Sequence, residues 1–198
     1  MADNDMWTIK AALDWTVGFL ERKGDDNPRL SAEWLMSEAT GLSRIELYVN
    51  FEQPLTLDER AVLRDFVARR GKGEPLQLIS GKVPFRYITV LVAPNVLIPR
   101  PETEVLVSEA FAELKLPRVA DHIAAGENGE EVVSPELPEL RVVDLCTGSG
   151  CIACSIASEY PAAHVVALDI APEALALAGK NVAALGLGDR VEVRGSDL

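Results

Sequence analysis

The sequence lacks a long apolar run and an excess of basic residues. No stretch approaches the roughly 18 consecutive apolar residues of a membrane span, and the N-terminus lacks the basic and apolar regions of a signal peptide. Nineteen lysines and arginines face 31 aspartates and glutamates, which gives a net charge of −12. Because nucleic-acid backbones bind basic surfaces, this charge disfavours nucleic acid as a direct partner. We therefore expect a cytoplasmic protein that contacts neither membranes nor nucleic acid.

Cysteine is also scarce. The three cysteines, Cys146, Cys151 and Cys154, lie within nine residues, and their C-x4-C-x2-C spacing is the opening of a plant-type iron–sulfur pattern. A fourth cysteine is missing from the sequence, and nothing suggests a disulfide framework. Because free cysteine packs like a small apolar residue, we expect packing roles and no metal site.

Helix signals fill the first seventy or so residues. Asn27-Pro28 suits a helix N-cap followed by proline at the first helical position. Two segments, Ser43 to Glu46 and Thr56 to Glu59, have the spacing of a capping box. These signals predict a helical N-terminal domain over residues 1–72, with packing or the docking of a partner as its role.

The pattern becomes β-rich from Leu76 to Ile98, with Ser80-Gly81-Lys82 as the expected turn between two short strands. This predicts a β-hairpin linker over residues 73–98. The linker ends in I-P-R-P-E-T-E at 98–104, where two prolines fix an extended segment and Pro101 suits the first turn of a helix.

Strands and helices alternate in the last part of the chain, 99–198. Such alternation predicts βαβ units in a parallel sheet, with a ligand site at the carboxyl ends of the strands. The fold class is therefore α/β. The expected elements are strands over 142–145 and 164–168, helices over 150–159 and 172–184, and a third strand from Val191.

A turn with almost no side chains separates the first of these strands from its helix. Gly148 to Ala153 satisfies G-x-G-x-x-G/A, and Asp169 follows Gly150 by nineteen residues, where an acidic residue binds a ribose diol. An NAD-dependent Rossmann enzyme is therefore one candidate. Asp144, just before the turn, favours S-adenosylmethionine instead, because a carboxylate repels a pyrophosphate but attracts an ammonium and a sulfonium. Without a ligand, Asp144 would only cap the helix N-terminus.

Taken together, these segments resemble the peptide chain release factor N5-glutamine methyltransferases. The similarity rests on the helical N-terminal region, P-x-Q-x-I-x-G at 75–81, I-P-R-P-E-T-E at 98–104 and D-L-x-T-G-S-G-x-I-A at 144–153. It implies methyl transfer from S-adenosylmethionine to the amide nitrogen of the glutamine in the Gly-Gly-Gln loop of release factors. It also implies that 1–72 helps to engage the release factor. For 99–198 it implies the first half of a Rossmann-like class I methyltransferase sheet.

The resemblance also assigns roles to individual residues. Asp169 would bind the ribose hydroxyls, while Asp197 and Leu198 would lie near the adenine. Arg100, Glu102 and Glu104 would shape the entrance beside the methyl-donor pocket, although the residues alone favour a helix cap and a solvated face. The full set expected to bind the methyl donor is Asp144, Cys146, Thr147, Gly148, Ser149, Gly150, Asp169, Asp197 and Leu198.

Two features depart from the family pattern. Cys146 stands where the family usually has the first glycine of G-x-G-x-G, so its side chain would weaken binding of the methyl donor if the backbone there has a positive φ. The Asn-Pro-Pro-Tyr signature, which in the family orients the target amide, is absent from these 198 residues. We therefore assign no catalytic residue and expect this polypeptide alone not to methylate.

Two further expectations follow. The strand over 142–145 is interior in the family's seven-stranded sheet, so an exposed edge here predicts self-association. The second function hypothesis is non-catalytic: a module that docks a translation factor and carries an incomplete donor site. Related enzymes that modify a ribosomal-protein glutamine or nucleic-acid bases share the turn, and the acidic charge disfavours the version that acts on bases.

Overall fold

The computed structural model describes residues 7–115 and 137–197, and the chain divides into two compact units, Met1–Ser80 and Gly81–Leu198. None of the described helices is both long and apolar enough to span a bilayer. The first unit contains helices α1 (Ile9–Arg22), α2 (Pro28–Thr40), α3 (Arg44–Val49), α4 (Leu57–Arg70) and α5 (Leu76–Ser80). The second contains β1 (Lys82–Phe85), β2 (Ile88–Leu91), α6 (Pro101–Glu113), β3 (Leu140–Leu145), α7 (Cys151–Glu159), β4 (Ala163–Asp169), α8 (Pro172–Ala184) and β5 (Val191–Gly195).

Short-range hydrogen bonds set where the helices of the first unit begin. The Asn27 side chain accepts from the Leu30 N–H at the start of α2, with proline at the first position. Both predicted capping boxes, at Ser43 and Thr56, are confirmed: each hydroxyl accepts from an N–H three residues on, and the glutamate there accepts from the cap N–H. Each cap contributes roughly 0.5–2 kcal/mol. The helical character of this region is therefore encoded locally.

The first unit closes around an apolar core and also buries the carboxylate of Glu33. Glu33 on α2 is 1% exposed, and Arg29, Arg44 and Tyr48 donate to it. The Arg29 Nε–Glu33 Oε1 distance is 2.7 Å and the Arg44 Nε–Glu33 Oε2 distance is 2.9 Å. The apolar core side chains of the first unit are Ile9, Ala12, Leu13, Leu20, Ala32, Leu35, Met36, Leu47, Leu55, Leu63, Val67 and Ile79.

The expected β-structure from Leu76 is wrong for its first five residues. They form helix α5, because Leu76 and Ile79 are spaced three apart and both pack against the core of the first unit. The predicted position of the hairpin turn, Ser80–Lys82, is also wrong. β1 and β2 pair antiparallel with Phe85 opposite Ile88, so that Arg86, at φ 51°, opens a two-residue loop. The hairpin, expected within a linker over 73–98, lies in the second unit.

The second unit contains a parallel sheet in the order β3-β4-β5. Leu145 pairs with Leu168, and Asp169 with Gly195, so the three strands end at one edge of the sheet. The α/β class predicted from the alternating pattern is confirmed. β3 starts at Leu140 and is an edge strand among the described strands, with Val143 59% and Leu145 53% exposed.

Candidate functional site

The segment from Cys146 to Gly150, here called the glycine-rich turn, joins β3 to α7 and enters the left-handed region three times. Cys146, Gly148 and Gly150 have φ of 58°, 57° and 77°. The Thr147 N–H donates to the Leu168 carbonyl at 2.8 Å, which fixes the turn to β4. A Cβ on Gly150 would lie 3.1 Å from the Ala178 Cβ, so both the backbone angle and the close approach of α8 require glycine there.

Asp144 lies at the base of the glycine-rich turn and is 8% exposed. The Thr147 hydroxyl donates to its Oδ2 at 2.6 Å. Burial raises the pKa of Asp144 and outweighs the hydrogen bonds from Thr147 and Ala153, while the nearby Asp169 raises this pKa further. Among the described residues, no lysine or arginine is among the groups that shift the pKa of this carboxylate. A positively charged ligand would supply the missing counter-charge.

Asp169 ends β4 beside the glycine-rich turn. Its Oδ2 accepts from the Gly148 N–H at 2.8 Å and its Oδ1 from the Ala171 N–H at 2.9 Å. Partial burial raises the pKa of Asp169, but the N–H groups of Ala171, Gly148 and Ile170 lower it more, so the net pKa lies below the ordinary value. The carboxylate is therefore ionised at neutral pH. Each oxygen retains a lone pair that can accept from a ligand hydroxyl.

The third strand brings the chain back to the same edge. The Ser196 N–H donates to the Asp169 carbonyl at 3.0 Å, so the segment after β5 continues beside the end of β4. Asp197 follows this contact and is exposed. Leu198, expected next to it, lies outside the described residues.

The expected entrance residues lie at the start of α6. Arg100 is the N-cap residue and makes no side-chain capping bond, and Glu102 is exposed in the first turn. The Glu104 carbonyl accepts from Arg86 Nη1 at 3.0 Å, which ties α6 to the hairpin loop. Arg86 also pairs with Glu159 of α7 through two contacts of 2.6 Å. The start of α6 is thus held by a buried ion pair that the sequence analysis did not anticipate.

The three cysteines differ in exposure. Cys146 is exposed, while Cys151 and Cys154 are buried. Burial raises the pKa of Cys151, and it raises the pKa of Cys154 to about 12, so both thiols are neutral at physiological pH. Across residues 7–115 and 137–197, no three His, Cys, Asp or Glu side chains form a group that could hold a metal ion. Cys146 does have the positive φ that the expectation of weakened donor binding required, at 58°, and the weakening itself stays a prediction.

The sequence analysis also missed Asn181, a buried polar residue on α8. Its side chain accepts from the Leu91 N–H and donates to the carbonyls of Leu91 and Ser149, and it therefore reaches both β2 and the glycine-rich turn. The available signal was an asparagine four residues after Leu177, on the apolar face of a helix. Helical periodicity places it in the interior, but its partners are too distant in sequence to be read.

Comparison with known proteins finds a separate family model for each of two regions of the chain. A family model described as the PrmC N-terminal domain matches residues 11–81, and one described as a methyltransferase domain matches residues 142–198. Release factor glutamine methyltransferase from Geobacter sulfurreducens is 46% identical over 89% of this chain and 55% of its own length. The protein of the same name from Rhodopirellula baltica is 41% identical over 97% of this chain and 60% of its own length.

A third relative of that name, from Salmonella typhimurium, is 34% identical over 83% of this chain. The chain spans between about half and three fifths of the length of these relatives. The predicted resemblance is thus confirmed by sequence similarity that runs through both units. Over most of its length, the chain resembles the release factor glutamine methyltransferases.

Proposed function

We propose that the glycine-rich turn, together with Asp144 and Asp169, binds S-adenosylmethionine. The observation that carries this proposal is the buried carboxylate of Asp144, which no cation in the described chain neutralises. Because a buried charge without a partner is costly, a ligand with positive charge gains more here than at an exposed carboxylate. The same carboxylate disfavours the pyrophosphate of NAD.

The described residues fit this methyl donor in charge and in hydrogen bonding. Asp144 supplies negative charge beneath the turn, and Asp169 supplies free lone pairs for a ribose diol. Gly148 and Gly150 leave the backbone open to a ligand. Asp197 would lie near the adenine. When bound, S-adenosylmethionine supplies an electrophilic methyl group on a sulfonium.

We further propose that the chain acts within a protein-glutamine methyltransferase whose target is the Gly-Gly-Gln loop of a release factor. The names of the relatives support this target, and so does the match of residues 11–81 to the PrmC N-terminal domain. The first unit would dock the release factor, and Arg100, Glu102 and Glu104 would line the entrance. An amide nitrogen is a poor nucleophile, so transfer would also need the Asn-Pro-Pro-Tyr signature to position it.

Calorimetric titration of the polypeptide with S-adenosylmethionine and with NAD tests the ligand directly. We expect S-adenosylmethionine to bind more tightly. Asp144→Asn should weaken its binding about tenfold to a hundredfold, since a hydrogen bond to a charged group contributes about 1.5–3 kcal/mol. Asp189→Asn is the matched control, because it removes the same charge from an exposed position before β5. Tighter binding of NAD would exclude the proposal.

The protein target requires a second experiment. A pull-down with release factor tests docking, and a methyl-transfer assay on the same proteins separates an enzyme from a non-catalytic docking module. The control substrate is a release factor whose loop glutamine is replaced by glutamate. We expect capture of both release factors, and methyl transfer to the glutamine form only when the enzyme includes Asn-Pro-Pro-Tyr. Equal labelling of the glutamate form would refute the proposed target.

A further inference from the structure

We infer that Asn181 is a positioning residue that holds the glycine-rich turn against strand β2 and thereby sets the affinity for the methyl donor. The part of this inference that concerns affinity rests on the proposed function, while the part that concerns the turn does not. Asn181 lies on α8, outside the segments that the motifs mark. It is 1% exposed, so water does not compete for its hydrogen bonds.

Three hydrogen bonds engage both the oxygen and the nitrogen of the Asn181 amide. Oδ1 accepts from the Leu91 N–H at 2.7 Å, and Nδ2 donates to the Leu91 carbonyl at 3.0 Å and to the Ser149 carbonyl at 2.9 Å. The orientation of the amide is determined, because the reverse orientation would place NH2 against an N–H and an oxygen against two carbonyls. Among the natural side chains of this length, only asparagine offers one acceptor and two N–H hydrogens at these positions.

The two partners belong to distant parts of the second unit. Leu91 is 90 residues and Ser149 is 32 residues from Asn181 in sequence. At Leu91 the side chain takes the place of a neighbouring strand on the edge of the hairpin. At Ser149 it fixes the carbonyl in the middle of the glycine-rich turn. One side chain therefore joins the strand that leads toward the I-P-R-P-E-T-E segment to the turn that would hold the methyl donor.

Two close approaches, one from α8 and one from the segment after β2, flank the glycine-rich turn. Ala178, one helical turn before Asn181, lies against Gly150 so closely that a Cβ there would be 3.1 Å from the Ala178 Cβ. Val96, five residues after Leu91, lies 3.9 Å from where a Cβ on Gly148 would be. The glycine-rich turn thus sits between α8 and the segment after β2. Loss of the Asn181 bonds would untie the Ser149–Gly150 peptide from α8 and leave its N–H bonded only within the turn, to the Thr147 carbonyl at 2.8 Å.

The test compares Asn181→Leu, Asn181→Asp and Val182→Ala. Leu removes all three bonds at similar volume, and Asp keeps an acceptor for the Leu91 N–H but loses the NH2. Val182→Ala is the control, because Val182 is the adjacent buried residue on α8 and its side chain is apolar. The measurements are amide hydrogen exchange at Leu91 and Gly150 and calorimetric titration with S-adenosylmethionine, at a temperature where circular dichroism shows every variant folded.

We expect Asn181→Leu to speed exchange at both amides and to weaken binding of S-adenosylmethionine about tenfold, which corresponds to about 1.4 kcal/mol. Asn181→Asp should preserve protection at Leu91 and lower it at Gly150, whose N–H keeps its bond to the Thr147 carbonyl, with a similar loss of affinity. Val182→Ala should leave the exchange rate of the Gly150 amide and the affinity for S-adenosylmethionine unchanged, even if it lowers the Tm. The hydrogens of the Asn181 side-chain NH2 should exchange slowly in the unmodified protein, and this measurement requires no variant.

The inference fails if Asn181→Leu changes Gly150 exchange and affinity no more than Val182→Ala does, or if the Asn181 NH2 exchanges at the rate of an exposed amide. Failure of the proposed function has a different signature. The unmodified protein would then not bind S-adenosylmethionine, while the exchange data would still decide whether Asn181 holds the turn.

Discussion

The two compact units bury carboxylates in opposite ways. In the first unit, burial raises the pKa of Glu33, but the hydrogen bonds from Tyr48, Arg29 and Arg44 lower it more, so the net pKa lies below the ordinary value. In the second unit, burial dominates at Asp144 and its pKa lies above the ordinary value. Both side chains are almost fully inaccessible to water. They differ in whether the described chain itself supplies a cation.

The contrast is not a general difference between the two units, because the second unit also contains a carboxylate that is paired with an arginine. It depends on where the carboxylate lies. Glu159 on α7 receives the Arg86 guanidinium and the Ser155 hydroxyl, each at 2.6 Å. A carboxylate that serves the fold is therefore neutralised within its own unit. Asp144 lies at the carboxyl end of a strand next to the glycine-rich turn and has no such partner among the described residues.

The largest expected effect comes from breaking the paired carboxylate of the second unit. The side chains of Arg86 and Glu159 are 11% and 5% exposed. Arg86→Leu should lower the free energy of unfolding by about 3–5 kcal/mol, because it leaves a buried charge without its partner. Urea denaturation followed by circular dichroism measures this loss.

The control for Arg86→Leu is the double variant that also carries Glu159→Leu. Removing both charges should recover much of the lost stability, because no uncompensated charge remains. If the double variant is as unstable as the single one, packing around the guanidinium matters more than the charge. The comparison with Asp144 would then lose its basis.

A smaller loss is expected at Glu33 in the first unit. Glu33→Gln should cost about 1.5–3 kcal/mol, since it weakens charge-assisted hydrogen bonds from Arg29 and Arg44. These arginines are partly exposed, so water takes over some of their hydrogen bonds. Glu21→Gln, on the exposed surface of α1, is the matched control and should change the unfolding free energy very little. Equal effects of the two variants would contradict the role of Glu33.

Cys146→Gly tests the backbone strain in the glycine-rich turn next to Asp144. Because Cys146 has a φ of 58°, glycine should stabilise the second unit by about 1 kcal/mol through relief of backbone strain. It should also tighten binding of S-adenosylmethionine. The control is Asn95→Gly, at φ 67°, where asparagine already tolerates the left-handed region and a smaller gain is expected. Thermal unfolding and calorimetric titration measure both changes.

The smallest expected change is in the pH dependence of stability, and its sign distinguishes the two carboxylates. Asp144→Asn should become more stable than the unmodified protein as pH rises from about 3.9 through the raised pKa of Asp144, because ionising this buried group destabilises the fold. Glu33→Gln should become less stable than the unmodified protein as pH rises through the lowered pKa of Glu33 towards about 4.3. Denaturation between pH 3 and 8 measures both differences. Differences of the same sign would refute the contrast.

The parts of the fold that could be read from the sequence are those fixed by neighbours along the chain. The sequence predicts the caps at Ser43 and Thr56 because each partner is three residues away. The alternating periodicity predicts the α/β class, and the spacing of nineteen residues after Gly150 marks Asp169, whose carboxylate in the structure accepts from the Gly148 N–H.

The parts that the sequence does not predict correctly, or does not predict at all, depend on tertiary contacts. Residues 76–80 have a β-like composition, but packing of Leu76 and Ile79 against the first unit's core makes them helical. Arg86 lies 73 residues from Glu159, and Asn181 lies 90 residues from Leu91. No periodicity or local motif connects such residues.

By itself, the sequence determined the helical first region, the strand–turn–helix of the second, the family resemblance and the carboxylates next to the turn. These features depend on residue order, spacing and side-chain chemistry. Only the tertiary structure decided that Asp144 is buried without a cation in the described chain while Glu33 and Glu159 are paired. It also decided that the Asn181 side chain donates to the Ser149 carbonyl in the glycine-rich turn. The physical reason is that burial and long-range hydrogen bonds exist only once distant segments have packed together.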